Sequence, residues 1–332
     1  MTSAPTLGLH VSHEQLDPRT ALDVAQRAAE VGFTEAMCSD HLVPWSERQG
    51  ESGFAWSWLG AALATTPMGF GVVNAPGQRY HPVIIAQAAA TLELMNPGRF
   101  WVALGSGEAM NEHVTGDRWP AKPERNARLR ECVDVMRALL AGEEVSHDGL
   151  VTVDRARLWS LPATPPPFVG AGVTAGTAEW LAGWADGFAT ISQPEDKLRR
   201  TIAAYRDAGG RGEVIVQAQV AFVPPEHGGE RAARALARDQ WRTNVFEPPL
   251  CWDLETTEHF DLAAEHLGEE QVAESVLCTD SAARLVDAVE TFAECGADRV
   301  YLHHVGKEQG AFLDAMGSIV LPAFAATEEE AA

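Results

Sequence analysis

The sequence predicts an α/β fold, a (β/α)8 TIM barrel with insertions. Eight short runs of β-branched or apolar residues alternate with longer segments of helical periodicity, which is the order that such a barrel requires. The chain has 332 residues, more than the roughly 250 of a minimal barrel, so insertions fit. The glycine-rich turn of a doubly wound nucleotide-binding sheet is missing after the first run, because residues 10–18 read HVSHEQLDP.

The strands are expected at the apolar runs and the helices between them. Asp17 and Pro18 have the pattern of a helix N-cap and first helical residue, and Gly32 follows the end of the same helix. The predicted strands are 6–12, 35–41, 68–75, 99–107, 167–173, 187–192, 213–223 and 298–306. The predicted helices are 17–31, 54–66, 82–96, 122–143, 175–185, 194–208, 229–243, 281–295 and about 307–320.

One domain is predicted for residues 1–325, with two insertions at about 144–166 and 244–280. The first has the pattern of a hairpin and ends in the proline-rich LPATPPP. In the second we assign no barrel strand, and we expect a lid over the barrel mouth that selects the substrate. Packing on the outer helices, or a dimer contact, is the alternative. Residues 326–332 are expected to form an acidic tail.

Composition and charge exclude several classes of function. Asp and Glu outnumber Lys and Arg by 47 to 25, a formal net charge of −22, which opposes binding to nucleic-acid phosphates. No apolar run reaches the ~18 residues of a membrane span, and the N-terminus does not have the pattern of a signal peptide. The five cysteines lack a C-x-x-C pair, which argues against disulfides and thiolate zinc sites. We therefore expect a cytoplasmic protein that binds neither nucleic acid nor membrane.

Reactive side chains follow the predicted strands at their carboxyl ends, where TIM barrels carry out chemistry. His41 and Trp45 follow the second strand, and Glu108 follows glycines after the fourth. A base, an indole and an acid are therefore expected on one rim. His303 and His304 are adjacent on a strand and point to opposite faces, so they cannot chelate one ion. No metal site is predicted.

Four motifs give the sequence a specific family resemblance. They are CSDHLVPW (38–45), GQRYHPVIIAQAAATL (77–92), GSGEAMNEHVTG (105–116) and PERNARLRE (123–131). Together they resemble the luciferase-like monooxygenase superfamily, in the branch of the F420-dependent glucose-6-phosphate dehydrogenase-like oxidoreductases. The resemblance implies a barrel that holds a flavin-type ring at its mouth and transfers a hydride.

The resemblance also implies roles for individual positions. His41 and Glu108 match the catalytic groups that move the accompanying proton, and Trp45 matches an indole over the reacting face. Val72–Val73 falls where the family has a bulge with a non-prolyl cis peptide behind the ring. The residues implied to bind the cofactor are Asp40, Val72, Val73, Asn74, Gly107, Asn111, Gly170, Ala171, Gly172 and Ser192.

The segments in which the sugar-phosphate branch carries its phosphate-binding cations are acidic here. Residues 192–197, 251–260 and 269–275 contain one cation, Lys197, whereas phosphate recognition relies on Arg or Lys donors. The expected substrate is therefore a small organic molecule other than a sugar phosphate. Four tryptophans either face a less charged ligand or pack in the core: Trp56, Trp58, Trp241 and Trp252.

The expected function is hydride transfer between coenzyme F420 and this organic substrate. FMN is the alternative cofactor, since it shares the ring and the ribityl phosphate but lacks the long polyanionic tail of F420; the motifs favour F420 slightly. An FMN-dependent monooxygenase and a non-catalytic flavin-binding protein stay open as alternatives. A metal-dependent barrel hydrolase is more distant, because only the second strand ends in a clear Asp–His pair. A homodimer is expected from the family resemblance.

Overall fold

The computed structural model describes residues 4–325, and the predicted acidic tail at 326–332 lies outside them. The strands are β1 (Thr6–His10), β2 (Glu35–Ser39), β3 (Gly69–Asn74), β4 (Phe100–Leu104), β5 (Val145–Asp148), β6 (Thr152–Ala156), β7 (Phe168–Ala171), β8 (Gly187–Ile191), β9 (Val214–Phe222), β10 (Leu277–Thr279) and β11 (Arg299–His304). The helices are α1 (Pro18–Val31), α2 (Ala55–Thr65), α3 (Pro82–Met95), α4 (Ala109–Glu112), α5 (Lys122–Leu140), α6 (Ala175–Leu181), α7 (Glu195–Asp207), α8 (Gly229–Trp241), α9 (Leu250–Asp253), α10 (Thr257–Ala263), α11 (Glu269–Ala273), α12 (Ala282–Glu294), α13 (Gly310–Ala315) and α14 (Leu321–Ala325).

Eight parallel strands close a barrel. Their spatial order is β1, β2, β3, β4, β7, β8, β9 and β11. Strand β11 pairs with β1 to complete the ring, with Val300 opposite Leu7. The predicted (β/α)8 barrel is confirmed, and each of the eight predicted strands lies in the ring.

The strand–helix order is interrupted twice. Strands β5 and β6 form an antiparallel hairpin. Between β9 and α12, three short helices precede β10, which pairs in parallel with β9 so that Cys278 lies opposite Ala221. Strand β10 lies outside the ring of eight, so the segment holds no barrel strand, but this added strand was not predicted from the sequence. Strand β9 has nine residues and extends past its last pair with β8, Gln217 with Ile191, so that edge is free to accept β10 from Val220 onward.

The Val72–Val73 segment is regular β-strand. Val72 pairs with Cys38 on one side and with Val102 on the other. The expected bulge with a non-prolyl cis peptide was wrong: within residues 4–325 the cis peptide bond is Pro248–Pro249. An unbroken ladder on both sides holds the Val72–Val73 backbone in extended geometry.

Glycines make room for two large aromatic rings inside the barrel. Trp101 on β4 and Tyr301 on β11 are buried and meet edge to face, with ring centroids 5.8 Å apart. A β-carbon added at Gly71 would overlap the Trp101 ring, and one at Gly8 would overlap the Tyr301 ring. The amino-terminal half of the barrel is thereby filled, which leaves the carboxyl end for ligands.

Helix α1 shows how the outer layer forms. Its N-cap, Asp17, accepts hydrogen bonds from the backbone N–H groups of Arg19 and Thr20, and Gly32 ends it with a φ of 111°, as predicted. Small residues at helical spacing bring its inner face close to the barrel, where Ala21, Ala25 and Ala28 are fully buried. Within residues 4–325 no helix is both long and apolar enough to cross a membrane.

We expect Gly71→Ala to destabilise the fold, because the added methyl group has to displace the Trp101 ring. Overpacking of this kind costs about 1–3 kcal/mol. Gly60→Ala in α2 is the matched control, since nothing lies within 4 Å of the added β-carbon and alanine is the better helix former by about 1 kcal/mol. Thermal unfolding followed by circular dichroism measures both; an unchanged Tm for Gly71→Ala would contradict the packing.

Candidate functional site

A cavity of about 610 Å³ opens at the carboxyl ends of the barrel strands. Most of the predicted site residues line it. They are Asp40, His41, Trp45, Val73, Asn74, Gly107, Glu108, Asn111, Ala171, Gly172 and Ser192. Val72 and Gly170 do not line it: Val72 is fully buried, and a β-carbon on Gly170 would face Leu181 of α6. Successive residues of a strand alternate between its faces, so only their neighbours Val73 and Ala171 face inward.

His41 lies between two carboxylates that follow different strands. Its Nδ1 is 3.6 Å from Oε1 of Glu14, and its Nε2 is 3.6 Å from Oε2 of Glu108. Ser12 donates a hydrogen bond of 2.8 Å to the other oxygen of Glu14, which orients that carboxylate. The segments after β1, β2 and β4 thus build a Glu14–His41–Glu108 row along the cavity wall.

The two carboxylates of this row differ in their tendency to hold a proton. Burial raises the pKa of Glu108 above its ordinary value. Burial acts on Glu14 in the same direction, but the neighbouring His41 and His10 outweigh it and lower the pKa of Glu14. Environments that push two pKa values apart assign the acid and base roles. Glu108 is therefore the end of the row that takes up a proton more readily, and Glu14 is the end that ionises more readily.

Asn111 sets the spacing between the loops that carry His41 and Glu108. Its Oδ1 accepts a hydrogen bond of 2.8 Å from the backbone N–H of Leu42. Its Nδ2 lies 3.5 Å from Oε2 of Glu108. One side chain on α4 thereby contacts both loops and keeps the base and the acid in register.

Asp40 is a buried carboxylate that joins the ends of β2 and β3 to α2. Its Oδ2 accepts hydrogen bonds of 2.8 Å from Nε1 of Trp56 and from Nδ2 of Asn74. Its Oδ1 accepts one of 3.0 Å from Tyr80, and the Arg79 guanidinium lies 3.6 Å away. A buried charge is tolerated when it is paired and hydrogen-bonded. Asp40 therefore supports the rim, and Trp56 belongs to this support and does not line the cavity.

Residues 244–280 are the segment in which the sequence predicts a lid, and we call them the lid. Part of this segment lines the cavity, and it contacts the rest of the barrel at two places. In the first, Phe260 of α10 is fully buried and its ring centroid lies 5.2 Å from that of Trp45. The Trp45 ring lies 5.1 Å from the ring of His41. Asp261 accepts a hydrogen bond of 2.7 Å from Oγ of Ser46. The lid thus holds the indole that adjoins the candidate base.

The second fastening point joins α9 of the lid to the start of α5. The ammonium of Lys122 lies 4.3 Å from the centroid of the Trp252 ring, at cation–π distance. Asp253 accepts a hydrogen bond of 3.0 Å from Nε1 of Trp119 and lies 3.5 Å from the Arg125 guanidinium. The lid residues that complete the cavity wall are 244–248, Cys251, Trp252 and 273–277.

Buried polar atoms without partners face the cavity. Nδ1 of His10, Oδ1 of Asn74 and Oε1 of Gln193 have no hydrogen-bond partner among residues 4–325, and all three residues line the cavity. Burial lowers the pKa of His10 to about 4, so its ring is neutral near pH 7. A buried polar atom that lacks a partner costs about 1–3 kcal/mol. Their concentration here indicates a polar ligand.

Several lining residues were not among those predicted: His10, Glu14, Lys122, Gln217 and Gln219. Glu14 carried a usable signal, because it is a carboxylate just after a strand. Gln217 and Gln219 alternate along β9, as inward-facing positions do. Lys122 had no local signal, since it starts a helix and only the tertiary fold brings it to the cavity.

The four tryptophans that the sequence left undecided divide equally. Trp241 and Trp252 line the cavity, and Trp56 and Trp58 do not; the latter two are core residues. In the described part of the chain, no three His, Cys, Asp or Glu side chains are grouped so that they could hold a metal ion.

Comparison with known proteins adds independent findings. The family model for luciferase-like monooxygenases matches residues 2–299. The chain is 34% identical over 338 residues to an F420-dependent glucose-6-phosphate dehydrogenase of Nakamurella multipartita, with 97% of each chain covered. It is 35% identical over 243 residues to an F420-dependent hydroxymycolic acid dehydrogenase of Mycobacterium tuberculosis, covering 71% of this chain and 66% of that protein. A solved F420-dependent secondary alcohol dehydrogenase in complex with an F420–acetone adduct aligns with a TM-score of 0.88 and 28% identity, over 97% of this chain and 99% of that one.

We expect Phe260→Ala to loosen the lid, because the Trp45 ring loses the partner that holds it. Removing a buried phenyl ring costs about 3–5 kcal/mol, enough to release α10 locally. Limited proteolysis should then cut within residues 244–280 faster than in the wild type. Leu262→Ala is the matched control, since Leu262 lies on the same helix and is 60% exposed. Equal cleavage rates in the two variants would show that the Phe260–Trp45 contact does not fasten the lid.

Proposed function

The chain belongs to the luciferase-like monooxygenase family, and we propose that it is an F420-dependent oxidoreductase that interconverts a secondary alcohol and its ketone. The observation that carries this proposal is the Glu14–His41–Glu108 row at the cavity wall. Hydride transfer at a carbinol carbon has to be accompanied by movement of the hydroxyl proton, which a positioned acid or base accelerates. The relatives described above support it: one is named a secondary alcohol dehydrogenase and another a hydroxymycolic acid dehydrogenase.

The cavity has the features that a deazaflavin needs. Its volume of about 610 Å³ lies within the roughly 300–1,000 Å³ of small-molecule sites. The unpartnered atoms of His10, Asn74 and Gln193 offer hydrogen bonds to the amide groups of such a ring, and Gly105 leaves the wall open. When bound, F420 supplies or accepts the hydride. The predicted residues that we propose to hold it are Val73, Asn74, Gly107, Asn111, Ala171, Gly172 and Ser192, with Asp40 acting through Asn74.

We propose that His41 accepts the proton of the substrate hydroxyl when the alcohol is oxidised. The ionised carboxylate of Glu14, 3.6 Å from Nδ1, favours a proton on that nitrogen and leaves Nε2 as the acceptor. Glu108, whose pKa is raised by burial, lies at the opposite end of the row and would supply the proton that the ring takes up with the hydride. In the reverse direction His41 returns its proton to the forming hydroxyl. Trp45 covers these groups and excludes water, which strengthens their interactions.

The side chains of the cavity rim favour binding of an alcohol over binding of a sugar phosphate. Lys197, the cation of the three acidic stretches, is paired with Glu247 at 2.7 Å. Trp241, Phe246 and Trp252 supply an apolar wall. A hydroxyl-bearing carbon with apolar neighbours therefore suits this cavity better than a phosphate dianion does.

The alternatives have less support. The relatives described above, at 28–35% identity, are named F420-dependent, which favours F420 over FMN and an oxidoreductase over an FMN-dependent monooxygenase. A non-catalytic flavin-binding protein has no need for a base between two carboxylates whose pKa values are pushed apart.

We further propose that residues 1–325 form one domain and that the protein is a cytoplasmic homodimer. Strands near both ends of the described chain, β1 and β11, pair with each other, which favours a single folding unit. Ile84 and Met95 are exposed on one face of α3 and suit contact with a second copy. The five cysteines are free, as is usual in a reducing compartment.

We expect His41→Ala and Glu108→Gln each to lower kcat by about 10²–10⁴-fold, the usual contribution of a positioned acid or base. The Kd for F420 should change far less, because neither side chain is assigned to hold the cofactor. Steady-state reduction of F420 with 2-hexanol measures kcat, and fluorescence titration of F420 measures Kd. Near-normal turnover in both variants would favour the flavin-binding alternative.

The pH profile provides the control for the assignment of Glu108. Its raised pKa means that the acid form persists to higher pH than for an ordinary glutamate. Reduction of F420 by 2-hexanol should therefore fall as pH rises through that raised value, since Glu108 is lost as the proton donor. Glu108→Gln should lack this limb; an identical limb in the variant would assign it to another group.

We expect glucose 6-phosphate to be a poor substrate with F420. Each missing charge-assisted hydrogen bond to phosphate costs about 1.5–3 kcal/mol, a factor of roughly ten or more in kcat/KM. The measurement compares kcat/KM for glucose 6-phosphate with that for 2-hexanol under one set of conditions. Efficient, saturable oxidation of the sugar phosphate would contradict the assignment of the rim.

A further inference from the structure

Lys122 is a cation on the cavity wall that lacks an anionic partner. It is the first residue of α5 and lines the cavity. Its ammonium donates a hydrogen bond of 2.7 Å to Oγ of Ser106 and faces the Trp252 ring of the lid. No carboxylate oxygen within the described chain lies within 4.0 Å of it, although the protein carries a net charge of −22.

The other two Lys or Arg residues of the wall are matched by carboxylates. Arg79 lies 3.6 Å from Asp40 and 3.9 Å from Glu112. Lys197 is paired with Glu247 at 2.7 Å. Among the wall residues that the structure describes, Lys122 is therefore the cation available to a ligand.

The surroundings of Lys122 leave its charge uncompensated. Burial lowers its pKa to about 8, so it is still mostly protonated at pH 7. Glu108 is the nearby carboxyl that acts on it, but Glu108 makes no ion pair with Lys122, and its own ion-pair contact is with His41. Burial also raises the pKa of the neighbouring Cys251 thiol to about 12, so Cys251 is neutral. A partly buried cation without a partner is costly and is typical of a binding site.

We propose that Lys122 binds a carboxylate on the substrate, which makes the substrate a secondary hydroxy acid or the corresponding oxo acid. This inference rests on the proposed function for the reaction at the hydroxyl carbon. The ammonium supplies the charge, and the Ser106 hydroxyl, which accepts from Lys122, is free to donate a second hydrogen bond to the carboxylate. The Trp252 ring encloses this end of the cavity. One cation suits a monoanion, whereas a phosphate dianion needs more donors.

Binding of hexanoate tests the carboxylate site without turnover. Calorimetric titration compares hexanoate with hexanamide, which has the same chain but no charge, on the F420-loaded protein. We expect hexanoate to bind at least about tenfold more tightly, a preference that Lys122→Gln removes and Lys122→Arg largely keeps. Lys197→Gln is the matched control and should keep the preference, since Glu247 already neutralises Lys197. Equal affinity for the two ligands in the wild type would overturn the proposal, as would equal losses for both in Lys122→Gln.

A carboxylate could also come from the tail of F420, and cofactor titration separates the two sources. If Lys122 bound the tail of the cofactor, Lys122→Gln would raise the Kd for F420 at least about tenfold. The Kd for the same chromophore without its phosphate and tail would stay unchanged. That result would overturn the assignment to the substrate. Unchanged affinity for F420 supports it.

Turnover separates this inference from the proposed function. The ratio of kcat/KM for 5-hydroxyhexanoate to that for 2-hexanol should fall at least about tenfold in Lys122→Gln. A ratio that stays constant in a protein that oxidises both alcohols would overturn the role of Lys122 and leave the proposed function intact. If neither alcohol reduces F420 while hexanoate still binds through Lys122, the proposed function fails and the carboxylate site stands.

Discussion

The geometry of the site depends on one buried carboxylate, that of Asp40. It accepts hydrogen bonds from Trp56 on α2, Asn74 on β3 and Tyr80 in the following loop. A buried charge is stable only when its partners are in place, so this carboxylate fixes three segments of the rim at once. The next residue is His41, whose two nitrogens each lie 3.6 Å from a carboxylate. The placement of His41 therefore follows from the hydrogen bonds of the neighbouring carboxylate.

The fold was predictable because the barrel repeats a strong local signal. Each ring strand is a short apolar run, and each flanking helix carries its own end signals, as Asp17 and Gly32 do for α1. The features that the sequence did not predict are those set by strand pairing between segments that are distant in the chain. Strand β10 has three residues, too few to show a period, and it pairs with the part of β9 that extends past β8. The extended backbone of Val72–Val73 likewise follows from pairing on both sides and from no feature of its own sequence.

The site was predictable to the extent that it lies in contiguous motifs at strand ends. His41, Trp45 and Glu108 line one cavity because parallel strands bring their carboxyl ends to one edge. Val72 and Gly170 were predicted as site residues but do not line the cavity, because successive residues of a strand face opposite sides and only their neighbours Val73 and Ala171 face inward. Lys122 was not predicted to line the cavity for a different reason. It occupies the start of α5, and its place on the wall depends on Ser106 and on Trp252 of the lid, contacts that only the folded chain creates.

The charge of this protein affects an anionic ligand differently in solution and inside the cavity. A net charge of −22 repels any anion in solution, but salt screens that repulsion over about 8–10 Å. Inside the cavity, a nearby charge acts through a lower effective dielectric than in bulk water. There the neighbouring groups decide: Glu247 neutralises Lys197, whereas Lys122 has no carboxylate partner among the described residues and keeps its charge. An acidic surface is therefore compatible with an anionic substrate, provided that the substrate carries a single charge and that the lid closes over it.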